Sequence, residues 1–245
     1  MISQLEKEIT FRFLKARKKD GFLNVISIFS FIGISLGVAV LIIVMSVMNG
    51  FRTELINKIV GFNAHAVVKP YDNSISSESY LSNSFLKNNV SSIVYSNDGE
   101  AIILNKDKTK GVLLKGYSDN DFKNLEIAKN NDFYGNKELK DNSISIGREL
   151  SFNLNLDLGE TVTLMSPSGV QTIVGSLPKQ ESFLVTSIFD SGLANFNENI
   201  AYINLKTLES FFDKNSELRF LEYFFNNPHD ISNHKNELLK VHQNE

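Results

Sequence analysis

FLNVISIFSFIGISLGVAVLIIVMSVMNGFRTEL, Phe22 to Leu55, is the longest apolar stretch in the chain. No charged residue stands between Asp20 and Arg52. Of the 27 residues from Phe22 to Met48, 20 are Phe, Leu, Val, Ile, Ala or Met. As a helix this run extends roughly 40 Å, at about 1.5 Å per residue. A bilayer's hydrocarbon core is only about 30 Å thick, so the run can cross a membrane with length to spare. A secretory leader has an apolar core of about 7–15 residues that ends in an A-x-A-like site, and Ser46-Val47-Met48-Asn49 offers no such site. The run is also too long, and too apolar on every side, for the core helix of a domain this small.

The flanking charges give the run a direction. Residues 1–20 carry six basic side chains: Lys7, Arg12, Lys15, Arg17, Lys18 and Lys19. Residues 51–70 carry three: Arg52, Lys58 and Lys69. Basic residues stay on the cytoplasmic side, so the N-terminus is expected inside and everything after Gly50 outside. Residues 1–63 are net +4 and the remainder net −7, within a chain total of −3. An acidic domain lacks the clustered Lys and Arg that phosphate requires, so no nucleic-acid partner is expected. The chain has no cysteine, which removes disulfide frameworks and thiolate chemistry.

This reading gives four segments. Residues 1–20 form a short amphipathic cytoplasmic segment, with Leu5, Ile9 and Phe13 recurring every four residues. Residues 21–50 span the membrane. Residues 51–63 continue the helix as a stalk, with Phe51, Leu55, Ile59 and Phe62 on one stripe and Gly61 and Asn63 as the stop signal. Residues 64–245 form one domain, long enough to bury its own core without cross-links. In that domain "AHAVVKP", "SSIVYSN", "EAIILN" and "KGVLLKGY" read as strands, separated by Asn97-Asp98-Gly99 and by Lys-rich turns. "SSESYLSNSFLKNN" reads as a helix capped by Ser77. "SISIGRELSFNLNL" gives a strand, a turn at Gly147 and a helix. "ETVTLMSP" and "ESFLVTSIFDSG" read as strands, "AYINLKTLESFF" as a strand then a helix, and "LRFLEYFFNN" as a strand before a last helix opened by Pro228. Strands and helices mix without regular alternation, so the fold class is α+β.

Catalytic signatures are missing. There is no H-E-x-x-H, G-x-x-x-x-G-K-[ST], G-x-G-x-x-G or G-x-S-x-G motif. His229 and His234 stand five apart with no further ligand nearby and read as surface residues. No catalytic residue, metal ligand set or cofactor is expected, and an anchored enzyme would need a convergent polar site that the sequence does not offer.

Two features point instead to binding. Gly33 and Gly37 sit one turn apart in the apolar run, where small residues let a second helix approach closely. The second feature lies between two strand-like runs. There "SPSGVQTIVGSLPKQ", Ser166 to Gln180, is far longer than the about two to five residues of a simple hairpin loop. It has proline near both ends, and Val170, Ile173, Val174 and Leu177 would expose apolar surface unless something covers them. It reads as a projecting arm.

These residues resemble a known family. "ARKKDGFLNVISIFSFIGISLGVAVLIIVMSVMNGFRTEL" followed by "GFNAHAVV" is similar to the N-terminus of the lipoprotein-releasing permeases of the LolC/LolE type. S-V-M-N-G-F-R-x-E-L, Ser46 to Leu55, is the most specific part, and "VGSLPKQESFLV", "IFDSG" and "YINLKTLESFF" fit the same family. The resemblance implies a MacB-like periplasmic core domain on an inner-membrane ABC permease. ATP hydrolysis would lie in a separate subunit, LolD, and the permease would pair with a LolC or LolE partner or with itself. Lipoprotein substrates would leave the outer leaflet of the membrane for the periplasmic chaperone LolA.

The resemblance also assigns residues. The chaperone-recruiting hook would comprise Pro167, Ser168, Gly169, Val170, Gln171 and Thr172 on its rising side, and Ile173, Val174, Gly175, Ser176, Leu177 and Pro178 at its tip and return. Val44, Val47, Met48 and Phe51 would meet lipoprotein acyl chains, and Gly33 and Gly37 would pack another helix. Gly175-Ser176-Leu177-Pro178 matches the LolC or LolF pattern, whereas His65 matches LolE or LolF, so the subtype stays open. Family members continue through three further membrane helices, so a chain ending at Glu245 is expected to be a fragment or a truncated product. The alternative is the anchored binding module of another MacB-type efflux or cell-division permease, from which the match of the arm to the hook discriminates.

Overall fold

The computed structural model describes residues 3–14, 21–70, 75, 83–172, 175–228 and 231–242. It divides into two compact units, Met1–Ile56 and Asn57–Glu245. The fold is mixed α and β with one apolar N-terminal helix, as the sequence predicts.

In the first unit, α1 (Gln4–Leu14) opens on a reciprocal cap. The Ser3 amide donates to Glu6 Oε2 at 2.7 Å, and the Glu6 amide donates to Ser3 Oγ at 3.2 Å. Leu5 and Ile9 are exposed on it. The helix α2 (Gly21–Phe62) contains the whole Phe22–Met48 run. It is long and apolar enough to cross a membrane, and none of its apolar window is buried against the rest of the chain.

The second unit begins with the last residues of α2, Asn57 to Phe62. Its strands are β1 (Ala66–Val68), β2 (Val90–Asn105), β3 (Lys108–Tyr117), β4 (Tyr134–Gly135), β5 (Ser143–Gly147), β6 (Thr161–Thr172), β7 (Gly175–Phe189), β8 (Ile200–Asn204) and β9 (Phe220–Phe225). Its helices are α3 (Ser84–Asn89), α4 (Asp119–Asn124), α5 (Glu126–Lys129), α6 (Arg148–Leu154), α7 (Ala194–Asn199), α8 (Leu205–Phe212) and α9 (Ile231–Val241). Six strands close into a ring: β2 is followed in order by β3, β8, β5, β7 and β6, and β6 returns to β2 at Ile102↔Met165, Ile103↔Leu164 and Leu104↔Thr163. Closure removes the free edges of these strands. The first half of β2 leaves the ring and pairs with β9, which carries β1 on its far side.

Alternation along the ring strands fills its interior. Ile103, Leu114, Ile144, Ile146, Leu164, Val185 and Ile203 are fully buried, with Leu150, Leu208 and Phe211 of α6 and α8 in the same core. Each such side chain contributes about 1.5–3 kcal/mol of burial. A second cluster gathers Phe122, Phe189 and Tyr202, and a third sets α3 and α9 against Leu221, Tyr223 and Phe225 of β9.

Four expectations are revised. Asn97-Asp98-Gly99 is not a turn, because β2 runs through it with Asn97↔Gly116, Asp98↔Lys115 and Gly99↔Leu114 paired. Glycine at 99 serves close approach: a Cβ there would lie 2.5–2.8 Å from the Phe212 ring. The expected Lys-rich turn is present at Lys106-Asp107, where Lys106 adopts φ 54°. The cap of α3 is Asn83, whose side chain accepts from the amides of Phe85 and Leu86, while Ser77 lies outside the described residues. His229 also lies outside them. His234 is not a surface residue: it is buried, with its ring stacked on Phe225 at 4.7 Å. Finally, the insert between β6 and β7 is strand up to its tip rather than loop.

Candidate functional site

The expected arm is the outer part of the β6–β7 hairpin. Within the ring the two strands pair from Thr161↔Leu184 to Met165↔Gln180. The register then shifts, and pairing resumes at Gly169↔Pro178 and continues through Val170↔Leu177 and Gln171↔Ser176 to Thr172↔Gly175. The shift falls at Pro167, which has no amide to donate to a ladder, so a bulge is the conformation open to it. Beyond the bulge the four pairs extend about 13 Å at about 3.3 Å per residue. Among the described residues they pair with no other strand. Lys179 holds the base: its Nζ donates to Ser210 O at 2.6 Å and lies 3.3 Å from Glu181. Leu177 is 63% exposed on the arm. Ile173 and Val174 lie outside the described residues.

The other expected site residues lie on α2. Val44, Val47, Met48 and Phe51 are each more than half exposed, and their spacing places them along one side of the helix. A Cβ added at Gly33 or Gly37 meets nothing within 4 Å, so this face is open within the chain.

Sequence reasoning missed three polar constellations in the second unit. The first surrounds Glu222, 2% exposed on β9. Its Oε1 accepts from Ser96 Oγ at 2.8 Å, its Oε2 accepts from Tyr117 OH at 2.8 Å, and Lys115 Nζ stands 3.6 Å away. Burial, reinforced by the negative charge of Glu222, pushes the Tyr117 hydroxyl well above the usual phenol range. Burial likewise raises Tyr202. The second is the turn Asp190-Ser191-Gly192. Asp190 Oδ1 accepts from the Gly192 amide at 2.8 Å and from Asn197 Nδ2 at 2.7 Å, and its Oδ2 pairs with Arg148 at 2.5 Å. Burial alone would raise this carboxyl. The two hydrogen bonds and the charges of Arg148 and Lys58 outweigh it and hold the group below its ordinary value.

The third is His65. Its Nδ1 accepts from the Phe225 amide at 2.8 Å, and its Nε2 stands 3.1 Å from Val60 O. The ring lines an open cleft of about 700 Å³ together with Asn57, Ile93, Asp121, Glu126 and Phe224. Burial lowers its basicity, and the hydrogen bond to Val60 offsets part of that. No group of three or more His, Asp or Glu side chains that could hold a metal occurs among the described residues. The arrangement offers surfaces for binding and joints for holding elements together.

LolC of the lipoprotein-releasing system of Xylella fastidiosa (strain Temecula1 / ATCC 700964) is 26% identical over 213 residues, covering 85% of this chain and 51% of the relative. LolC of Haemophilus influenzae is 30% identical over 189 residues, covering 74% and 46%. LolE of the same organism is 28% identical over 190 residues, covering 74% and 45%. The chain thus spans about half the length of the curated relatives it matches. Among solved structures, the periplasmic region of MacB from Actinobacillus actinomycetemcomitans aligns with a TM-score of 0.44 at 13% identity, over 72% of this chain and 76% of that one. The profile of the MacB-like periplasmic core domain matches residues 27–232, and the chain belongs to that family.

Proposed function

We propose that this chain is a permease component of an ABC complex that releases outer-membrane lipoproteins from the inner membrane to a periplasmic chaperone. Residues 1–20 lie on the cytoplasmic side, 21–50 span the inner membrane, 51–63 form the stalk and 64–245 form the periplasmic core domain. ATP hydrolysis belongs to a separate LolD-type subunit, and a second permease of the LolC or LolE kind, or a second copy, completes the membrane part. Val44, Val47, Met48 and Phe51 offer apolar contact to acyl chains, and methionine's flexibility suits varied lipids. Gly33 and Gly37 pack the partner helix.

The observation that carries this reading is the arm. It is an antiparallel hairpin that continues past the ring, pinned at its base by Lys179, unpaired with other strands among the described residues, and apolar at Leu177. Support for the lipoprotein substrate comes from the names of the LolC and LolE relatives. The test replaces residues 168–177 by a short Gly-Ser turn in the full chain in detergent and measures binding of a LolA-type chaperone. Binding should be weak and transient in the parent, since a small contact must release its partner. It should be lost in the variant, with circular dichroism and melting temperature unchanged because the arm lies outside the ring core. Equal binding by both proteins would remove the arm from the mechanism.

A further inference from the structure

We propose that His65 is an acid-released clamp that holds the last turn of α2 to strand β9. The geometry fixes the role of both ring nitrogens. Nδ1 receives the Phe225 amide at 2.8 Å and must therefore present a lone pair. Nε2 faces Val60 O at 3.1 Å, which can only accept, so Nε2 carries the hydrogen. Each bond satisfies a group that regular structure leaves over. Val60 is among the last four residues of α2, whose carbonyls have no intrahelical donor. Phe225 lies beyond the end of the β1–β9 ladder, which stops at Ala66↔Tyr223. The His65 amide completes the attachment by donating to Tyr223 O at 2.9 Å.

A second proton on the ring must go to Nδ1. It turns the acceptor into a donor and sets two N–H groups against each other at 2.8 Å. The imidazolium is not rescued from the sides. Across the cleft stand Asp121 of α4 and Glu126 and Lys129 of α5. The Asp121 carboxylate is taken by the Ser118 hydroxyl at 2.6 Å, and Glu126 pairs with Lys129 at 3.4 Å. Lys58, two residues before Val60, lies against the Asp190–Gly192 turn instead. His234 of α9 stacks on Phe225, and the ring of His242, just past α9, meets the Tyr223 hydroxyl at 2.6 Å. The half-buried ring lines an open cleft, so protons reach it from solvent.

Burial holds the folded His65 below the free value of 6.5. A lowered imidazole contributes stability that is fully present above 6.5 and is lost as pH falls through the folded value. Release would not unfold the unit. Phe62 stays packed on Phe196 with ring centroids 4.4 Å apart, and that contact does not titrate. Acid therefore breaks the tie between the ring and the Phe225 amide, while Nε2–H keeps its bond to Val60 O and Phe62 keeps its packing. The clamp belongs to the domain itself and does not depend on whether the arm binds a chaperone.

The test uses the full chain in detergent micelles, with ¹⁵N-labelled histidine and labelled phenylalanine amides. At pH 7.5 the His65 ring should show a protonated Nε2 and a bare, hydrogen-bonded Nδ1. Below pH 6.5 its titration should be accompanied by a shift of the Phe225 amide at the same midpoint. H65Q can accept from Phe225 and donate to Val60 without titrating. Wild type should therefore lose melting temperature relative to H65Q between pH 6.5 and 5, opening a gap on the order of 2–4 °C. His234 and His242 are common to both proteins and cancel in this difference. A His65 carrying its hydrogen on Nδ1 at pH 7.5, a Phe225 amide indifferent to the titration, or parallel melting curves would each overturn the clamp. If H65Q does not fold, the wild-type spectra decide alone.

Discussion

Single side chains in the second unit act as ties between elements far apart in the chain. Tyr117 and Ser96 bring β3 and β2 to the carboxylate of Glu222 on β9. Tyr117→Phe deletes one donor and keeps the ring, so a buried oxygen loses its partner. The loss should be about 1.5–3 kcal/mol, the range for a hydrogen bond to a charged group, read by urea unfolding in detergent. Asp190→Asn removes the charge facing Arg148, and the expected cost at pH 7 is about 1–3 kcal/mol. The wild-type advantage has a defined pH window. The folded carboxyl lies below its free value of 3.8, so the contribution is present above 3.8 and fades as pH falls through the folded value. Unfolding midpoints of the two proteins should converge on acidification from pH 7 towards pH 3. Gly147 is a different constraint, one of close backbone approach: a Cβ there would meet Asn197 O at 2.0 Å. Backbone cannot yield as a ring edge can, so Gly147→Ala should destabilise more than Gly99→Ala.

Among elements, the contrast lies between what is covered and what is open. The ring strands are buried on their inner face, while the apolar window of α2 is unburied and a Cβ at Gly33 or Gly37 meets nothing within 4 Å. Gly33→Ile should therefore leave the chain's own melting temperature unchanged, since an added Cβ meets no atom within 4 Å. Association with a partner helix, read by energy transfer between labelled copies or with a LolC-type partner, should fall, because a large side chain blocks close approach at a small-residue face. Unchanged association would place the partner on another face. The arm shows how much of an element a sequence can reveal. Its length and its prolines at 167 and 178 were legible. Its ladder was not, because a stretch with glycine and proline weakens the alternation by which strands are recognised.

At the scale of the molecule, the expected topology puts the two ends of the spanning helix on opposite faces of the inner membrane. The chain has no cysteine, so single cysteines report without background. Asn120→Cys sits on an exposed position of α4. It should react with an impermeant maleimide once the outer membrane is permeable and the inner membrane intact. Ser3→Cys, ahead of all six basic residues of the arm at 1–20, should react only after lysis. Labelling of both before lysis would mean that Phe22–Met48 does not span, and the reverse pattern would invert the orientation drawn from the basic residues.

The sequence by itself determined what nearest neighbours encode. The apolar run sets the character of α2, and the composition of "SISIG" and "YINLKTLESFF" sets a strand and a strand-then-helix. It could not determine pairing between distant segments. Asn97-Asp98-Gly99 has turn composition, yet pairing with Leu114 to Gly116 and the Phe212 ring over Gly99 keep it extended. Glu222 occupies an alternating strand position that would suit solvent equally well. Only Ser96, 126 residues away, and Tyr117 make it an interior residue. His65 stands out in the sequence only as a subtype marker, and its role as a tie exists only because Phe225, 160 residues on, ends beside it. A periodicity is local and survives in any context that buries one face. Ring closure, the burial of a carboxylate and the two bonds of an imidazole depend on partners that only the folded chain brings within hydrogen-bond distance.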